Sequence, residues 1–224
     1  MSWEKHQEFY NFIIENRIIG FYKEPLKLKS GRLSNWYVNW RNIAADVFLL
    51  DKLTDFILNF IDFLKLKPDC FYGVPEGASK LGIITQFKWA KRQKNYNPGK
   101  YILSMGRGKQ KEHGDPKDQF FLGVPNGNVI VLEDTTTTGG SLISTIRNLK
   151  DLNINVIAAV GLTNRNEIRD DGKSVEEVIS EESIEYYAMS NALDLLPKLN
   201  PDKQFKNEIE DYFKKYGVKK IRFS

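Results

Sequence analysis

The chain has 224 residues and a formal net charge of +4, which at roughly 150 residues per domain predicts one domain over residues 1–224. Hydrophobic residues make up 41% and charged residues 28%, enough for a buried core and against a disordered or fibrous chain. A single cysteine, Cys70, excludes an internal disulfide and a cysteine-cluster zinc site, and only two histidines, His6 and His113, exclude a multi-histidine metal centre.

Residues 3–19 predict a helix, with Ser2 as its N-cap and Gly20 as its stop. Residues 20–45 read as an irregular stretch, rich in aromatic and basic side chains, that ends Trp36-Tyr37-Val38-Asn39-Trp40-Arg41 with its tryptophans exposed. These segments form an N-terminal helix and hood (1–45) over an α/β core (46–224). Asp46 caps the clearest helix: Val47, Leu50, Ile57, Phe60, Ile61 and Leu64 follow the 3.6-residue period, with Thr54 the one lapse.

From there strands and helices alternate. Residues 70–74 predict a strand, with Cys70 a small core residue, 78–92 a helix and 101–104 a strand. Residues 129–132 form a wholly apolar strand, 141–152 a helix and 156–162 another buried strand. Near the end, Phe205, Ile209, Tyr212, Phe213 and Tyr216 share one helical face. Continuous apolar strands between helices mean an α/β fold, a parallel sheet flanked by helices on both faces. In such sheets ligands sit outside the carboxyl ends of the strands.

The strand at 129–132 runs into Glu133-Asp134-Thr135-Thr136-Thr137-Thr138-Gly139-Gly140-Ser141. Backbone N–H groups and hydroxyls of this loop can converge on an anion, and the following helix adds its positive N-terminus. The loop has no lysine and no GxxxxGK[ST], so it is not a triphosphate P-loop, and it is not GxGxxG. Carboxylates beside a phosphate cradle repel it unless they take hydroxyls or a hydrated cation. A ribose 5-phosphate meets both conditions, with its phosphate in the loop and its hydroxyls on Glu133 and Asp134.

This block resembles the signature loop of the type I phosphoribosyltransferases, which use 5-phosphoribosyl-1-pyrophosphate with Mg²⁺. Three further segments resemble the orotate-specific branch of that family. They are Lys29-Ser30-Gly31-Arg32, the loop Arg107-Gly108-Lys109-Gln110-Lys111-Glu112-His113-Gly114, and Asn164-Arg165 after the last apolar strand. Gly108 stands where some relatives carry a second lysine, and Asn164 replaces the usual aspartate. Gly73-Val74-Pro75-Glu76-Gly77 occupies the place of the pyrophosphate-side loop, with Glu76-Gly77 departing from several relatives.

The resemblance implies that Lys29, Arg107, Lys109, Lys111, His113, Glu133, Asp134, Thr135, Thr136, Thr137, Thr138, Gly139, Gly140 and Ser141 bind the donor. It implies that Tyr37, Val38, Thr137 and Arg165 bind orotate, and that Lys111, His113 and Asp134 are catalytic. Arginine suits a carboxylated base because its fork binds a carboxylate bidentately. Mg²⁺ is expected to be held mainly by substrate, with no direct protein ligand set. The implied reaction gives orotidine 5′-monophosphate and pyrophosphate in pyrimidine biosynthesis. A homodimer with shared active sites is implied too. The alternatives are a donor-sensing regulator and a transferase for another base. The charged start and the absence of an ~18-residue apolar run predict a cytoplasmic protein with neither membrane nor nucleic-acid partner.

Overall fold

The computed structural model describes residues 3–107 and 120–223. In chain order come α1 (His6–Glu15), β1 (Ile19–Lys27), β2 (Leu33–Val38), α2 (Arg41–Ala45) and α3 (Val47–Phe63). There follow β3 (Cys70–Gly73), α4 (Ser79–Lys91), β4 (Met105–Gly106), β5 (Phe121–Leu122) and β6 (Val129–Thr136). The remainder is α5 (Gly140–Asp151), β7 (Val156–Asn164), α6 (Val175–Glu181), β8 (Glu185–Ala188), α7 (Ala192–Leu199) and α8 (Lys203–Tyr216).

β3, β6, β7 and β8 lie side by side in that order, all parallel. Gly73 pairs with Leu132, Leu132 with Val160 and Val160 with Tyr187, so the carboxyl ends share one rim. β3 and the first half of β6 are apolar and buried because helices cover the sheet. The expected α/β class with a helix-flanked parallel sheet is what the chain forms.

α3 begins as its sequence predicts: the Asp46 side chain accepts a hydrogen bond from the Leu49 N–H at 2.9 Å, satisfying one orphan donor of the first turn. Its inward face carries Leu50, Leu53, Thr54, Ile57, Phe60 and Ile61, whereas Val47, counted on the apolar stripe, is 86% exposed. α8 packs Ile209, Tyr212 and Phe213 inward. Phe213 stacks on Trp36 of β2 with ring centres 6.0 Å apart.

The N-terminal region departs from expectation. The first helix stops at Glu15, Asn16 Nδ2 donates back to the Phe12 carbonyl, and Arg17 takes a positive φ of 51° that turns the chain. Gly20 therefore lies inside β1 rather than ending a helix, and Ser2 lies outside the described residues. Residues 19–38 are an antiparallel hairpin, not an irregular stretch. In β2, Ser34, Trp36 and Val38 alternate inward, a period of two that aromatic bulk disguised. Trp36 and Trp40 are buried, not exposed, and the Trp40 indole N–H donates to Thr163 Oγ1. Residues 101–104 form no strand; the short pairing is β4 with β5, one step later.

Candidate active site

β6 continues past its apolar half through the acid pair to Thr136, because Thr135 and Thr136 pair with Thr163 and Asn164 of β7. The turn proper is only Thr137 to Gly139. Gly139 has a φ of 69°, a left-handed conformation that glycine adopts without a Cβ penalty, and it is the N-cap of α5. The chain thus delivers two carboxylates from a strand end and a helix N-terminus within seven residues, Glu133 to Gly139. The first-turn N–H groups of α5 have no intrahelical acceptor and carry the positive end of its dipole.

A cleft of about 800 Å³ opens at this rim. Of the predicted site residues, Lys29, Tyr37, Val38, Arg107, Glu133, Asp134, Thr135, Thr137, Ser141 and Arg165 line it together. Lys29, from the hairpin turn, donates through Nζ to Ser141 Oγ at 2.8 Å. Asp134 Oδ1 accepts from the Thr135 N–H at 2.7 Å, and Glu133 Oε1 from the Asp134 N–H at 3.2 Å. Burial, then the neighbouring Asp134, pushes the Glu133 carboxyl well above the usual carboxylate range. The Thr135 hydroxyl is buried with no hydrogen-bond partner among the described residues.

Pro75, Glu76 and Gly77 form the facing wall, and the Pro75–Glu76 peptide is cis. Gly77 lies so close to Asp134 that a Cβ there would meet Asp134 Oδ2 at 2.8 Å. Only glycine leaves that carboxylate its position.

Some predicted contacts fall elsewhere. Thr136 is corrected: it is buried on the other side of the strand, where its hydroxyl is 2.5 Å from Tyr186 Oη. Thr136 is still paired with Asn164 of β7, and its side chain meets Tyr186 of β8 instead of the cleft. Burial pushes the Tyr186 phenol up, so it remains a neutral hydroxyl partner. Thr138, Gly139 and Gly140 build the turn behind the cleft without lining it, and the Thr138 carbonyl accepts from Arg169. Lys109, Lys111 and His113 lie outside the described residues. Their flanks do not: the Arg107 N–H donates to the Phe120 carbonyl at 3.0 Å, and both residues line the cleft.

Arg165 is more engaged than its sequence suggested. Its Nε donates to Glu167 Oε1 at 2.7 Å and its Nη2 to Ser34 Oγ at 3.0 Å. Its guanidinium carbon lies 3.6 Å from the centre of the Trp36 ring. Sequence reasoning missed Glu167 and Arg32 as its neighbours. Both stand in polar, charged stretches, residues 29–34 and 164–171, where nothing in the local order marks them as a pair.

The arrangement offers an anion cradle, a pair of carboxylates, and the cations Lys29, Arg107 and Arg165 around one cleft. No protein-family model matches the chain. In sequence it resembles orotate phosphoribosyltransferases. It is 28% identical to that of Methanosphaera stadtmanae over 79% of this chain and 88% of the relative. It is 28% identical to that of Aquifex aeolicus over 82% and 94%. In fold it is similar to the orotate phosphoribosyltransferase structure from Francisella tularensis, with a TM-score of 0.67 over 94% of this chain and all of that one, at 23% identity.

Proposed function

We propose that this chain is an orotate phosphoribosyltransferase, acting as one catalytic unit over its whole length, that transfers the 5-phosphoribosyl group from 5-phosphoribosyl-1-pyrophosphate to N1 of orotate. The products are orotidine 5′-monophosphate and pyrophosphate. One observation carries the reading: the carboxylates of β6, the N-terminus of α5, Lys29 and Arg165 face a single cleft. An anionic sugar phosphate and an anionic base each find a counter-charge there.

In this mechanism the bond to pyrophosphate loosens early and the ribose gains oxocarbenium character, so no protein nucleophile is needed. Catalysis is positioning and charge stabilisation. Asp134 and Glu133 hold the ribose hydroxyls, and the carboxyl oxygens they present favour the developing cation. Thr135, Thr137, Ser141 and the first-turn N–H groups of α5 receive the 5′-phosphate, backed by Thr138, Gly139 and Gly140. Lys29 and Arg107, with Lys109, Lys111 and His113, gather the departing pyrophosphate, Lys111 or His113 supplies a proton to it, and the N1 proton of orotate is released to water as the bond to ribose C1 forms. Tyr37, Val38 and Thr137 flank the base, and Arg165 takes its carboxylate.

Two carboxylates at the cleft are hard oxygen donors but too few for an all-protein cage. That suits Mg²⁺, which keeps substrate oxygens and water as ligands. Bound there, Mg²⁺ supplies charge neutralisation of the pyrophosphate. A cytoplasmic homodimer with shared sites belongs to the same reading.

The test is a spectrophotometric assay of orotate consumption with donor and Mg²⁺. Turnover that requires all three components supports the reading. No consumption of orotate, with turnover of adenine, hypoxanthine or uracil instead, would replace orotate by that base.

A further inference from the structure

Glu167 is buried, with 1% of its surface exposed, and its two oxygens hold different arginines. Oε1 accepts from Arg165 Nε at 2.7 Å, and Oε2 accepts from Arg32 Nη1 at 2.9 Å. Arg32 continues through Nη2 to the Ile168 carbonyl at 2.7 Å and to Asp170 Oδ1 at 2.9 Å. Its guanidinium carbon lies 4.6 Å from the centre of the Tyr216 ring. Burial alone would favour the neutral form of Arg32, but its bonds to Asp170 and Glu167 outweigh that and hold it charged.

Arg165 is fixed from three directions. Glu167 takes Nε, Ser34 takes Nη2, and the indole of Trp36 lies against the guanidinium face. A longer contact at 3.4 Å joins Nη1 to the Trp36 carbonyl. Ser34 is itself held, donating to that same carbonyl at 2.6 Å. A guanidinium carries five N–H donors in a rigid fork, so two donors remain beyond these three bonds, on a side chain that is 1% exposed and borders the cleft. Within the buried part of the cluster one carboxylate, Glu167, serves two guanidiniums, and the second carboxylate, Asp170, meets Arg32 from the solvent side with 93% of its side chain exposed.

We propose that Glu167 is a positioning residue for base recognition. It orients the Arg165 fork toward a carboxylate in the cleft, and through Arg32 it ties that fork to the hairpin bearing Tyr37 and Val38. This rests on the reading of Arg165 given under the proposed function. The physical reason is that an unpaired buried guanidinium would turn toward whatever acceptor it could reach. Glu167 occupies Nε with a charge-assisted bond and fixes the plane of the fork before substrate arrives. Its second oxygen makes that plane follow the hairpin, so base pocket and carboxylate receptor move as one piece.

The test compares the full-length wild type with Glu167→Gln and Arg32→Lys. Glutamine keeps the shape but offers one acceptor oxygen where two arginines need one each. The readouts are KM for orotate, kcat, the preference for orotate over uracil, and calorimetric donor affinity without base. For Glu167→Gln, the orotate KM should rise about tenfold or more, with kcat at saturation within about threefold and donor affinity within about twofold. The preference over uracil, which lacks the carboxylate, should narrow by a similar factor. Arg32→Lys should move the same quantities in the same direction by less.

An unchanged orotate KM in Glu167→Gln overturns the proposal. So does an equal fall in orotate and donor affinity, which would assign the cluster to the scaffold. If Glu167→Gln does not fold, Arg32→Lys decides; failure of both to fold again leaves only a scaffold role. A wild type that binds donor but never consumes orotate defeats the function reading itself, and this inference with it.

Discussion

Lys29 Nζ donates to Ser141 Oγ at 2.8 Å, joining the hairpin turn to the first turn of α5 across 112 residues of sequence. A cation and the positive end of a helix thus meet at one point, which is favourable only where an anion is due. Lys29→Ala should raise the KM for the phosphoribosyl donor by about tenfold or more, since a charge-assisted contact is lost. Thermal stability should scarcely move, because the side chain is exposed. Steady-state kinetics with varied donor checks this; an unchanged donor KM would leave Lys29 as a surface tether.

Gly77 and Asp134 give a second expectation. A Cβ at position 77 would stand 2.8 Å from Oδ2 and 3.0 Å from Cγ of Asp134, so the carboxylate must shift. Displacements of this size at reacting groups cost large factors in rate. Gly77→Ala should lower turnover by about tenfold or more while the protein stays folded by circular dichroism. Full activity would show that Asp134 has another productive position.

Glu133 supplies a pH dependence. Burial and the adjacent Asp134 raise its pKa in the folded state. The native chain then binds this proton more tightly than the unfolded chain, so stability falls as pH climbs from the unfolded value, about 4.3, toward the raised folded value. Glu133→Gln removes that loss. The variant should melt about 2 °C or more above the wild type at pH 7, and the difference should vanish near pH 4. Equal melting temperatures at both pH values would refute a raised Glu133 pKa.

The cationic segment can be tested apart from its conformation. Lys111→Ala and His113→Ala should each reduce turnover by about 10²-fold with nearly unchanged melting temperature. Gross unfolding of either variant, or full retained activity, would reassign these residues.

Sharing of sites makes a further forecast. Mixing inactive Asp134→Asn with inactive Lys111→Ala should restore activity if the segment serves a partner's cleft. Random exchange makes about half the dimers heterodimers with one competent site each, hence about a quarter of wild-type activity. A monomer by sedimentation, or an exchanged mixture that stays inactive, would place the segment in its own subunit's site.

Much of this site could be read from residue order alone. The acid pair, the threonines and the glycines announce themselves because strand, turn and helix start are consecutive in sequence, so local chemistry dictates local geometry. The Asp46 cap and the apolar strands were legible for the same reason. The hairpin was not. Its buried Trp36 packs on Phe213 and Arg165, which meet it only in space. The placement of the Thr136 side chain was not legible, because a run of identical hydroxyls does not show which of them turns from the cleft to Tyr186. Ser174-x-x-Glu177, a capping box in which both reciprocal bonds form, was a visible start signal for α6 that went unused.

The pairing of Arg32 with Glu167, and of Trp36 with Phe213, has a consequence for biosynthesis. Synthesis proceeds at about 5–20 residues per second, so β2 leaves the ribosome on the order of ten seconds or more before α8. Arg32 waits 135 residues for its carboxylate, Glu167, and Trp36 waits longer still, for Phe213 of α8. The nascent chain therefore carries a water-exposed tryptophan and an unmatched buried-type cation, the kind of surface that holdase chaperones bind. The support behind the base pocket is thus made after the phosphate cradle, since Trp36, against which Arg165 rests, gains its stacking partner only with α8.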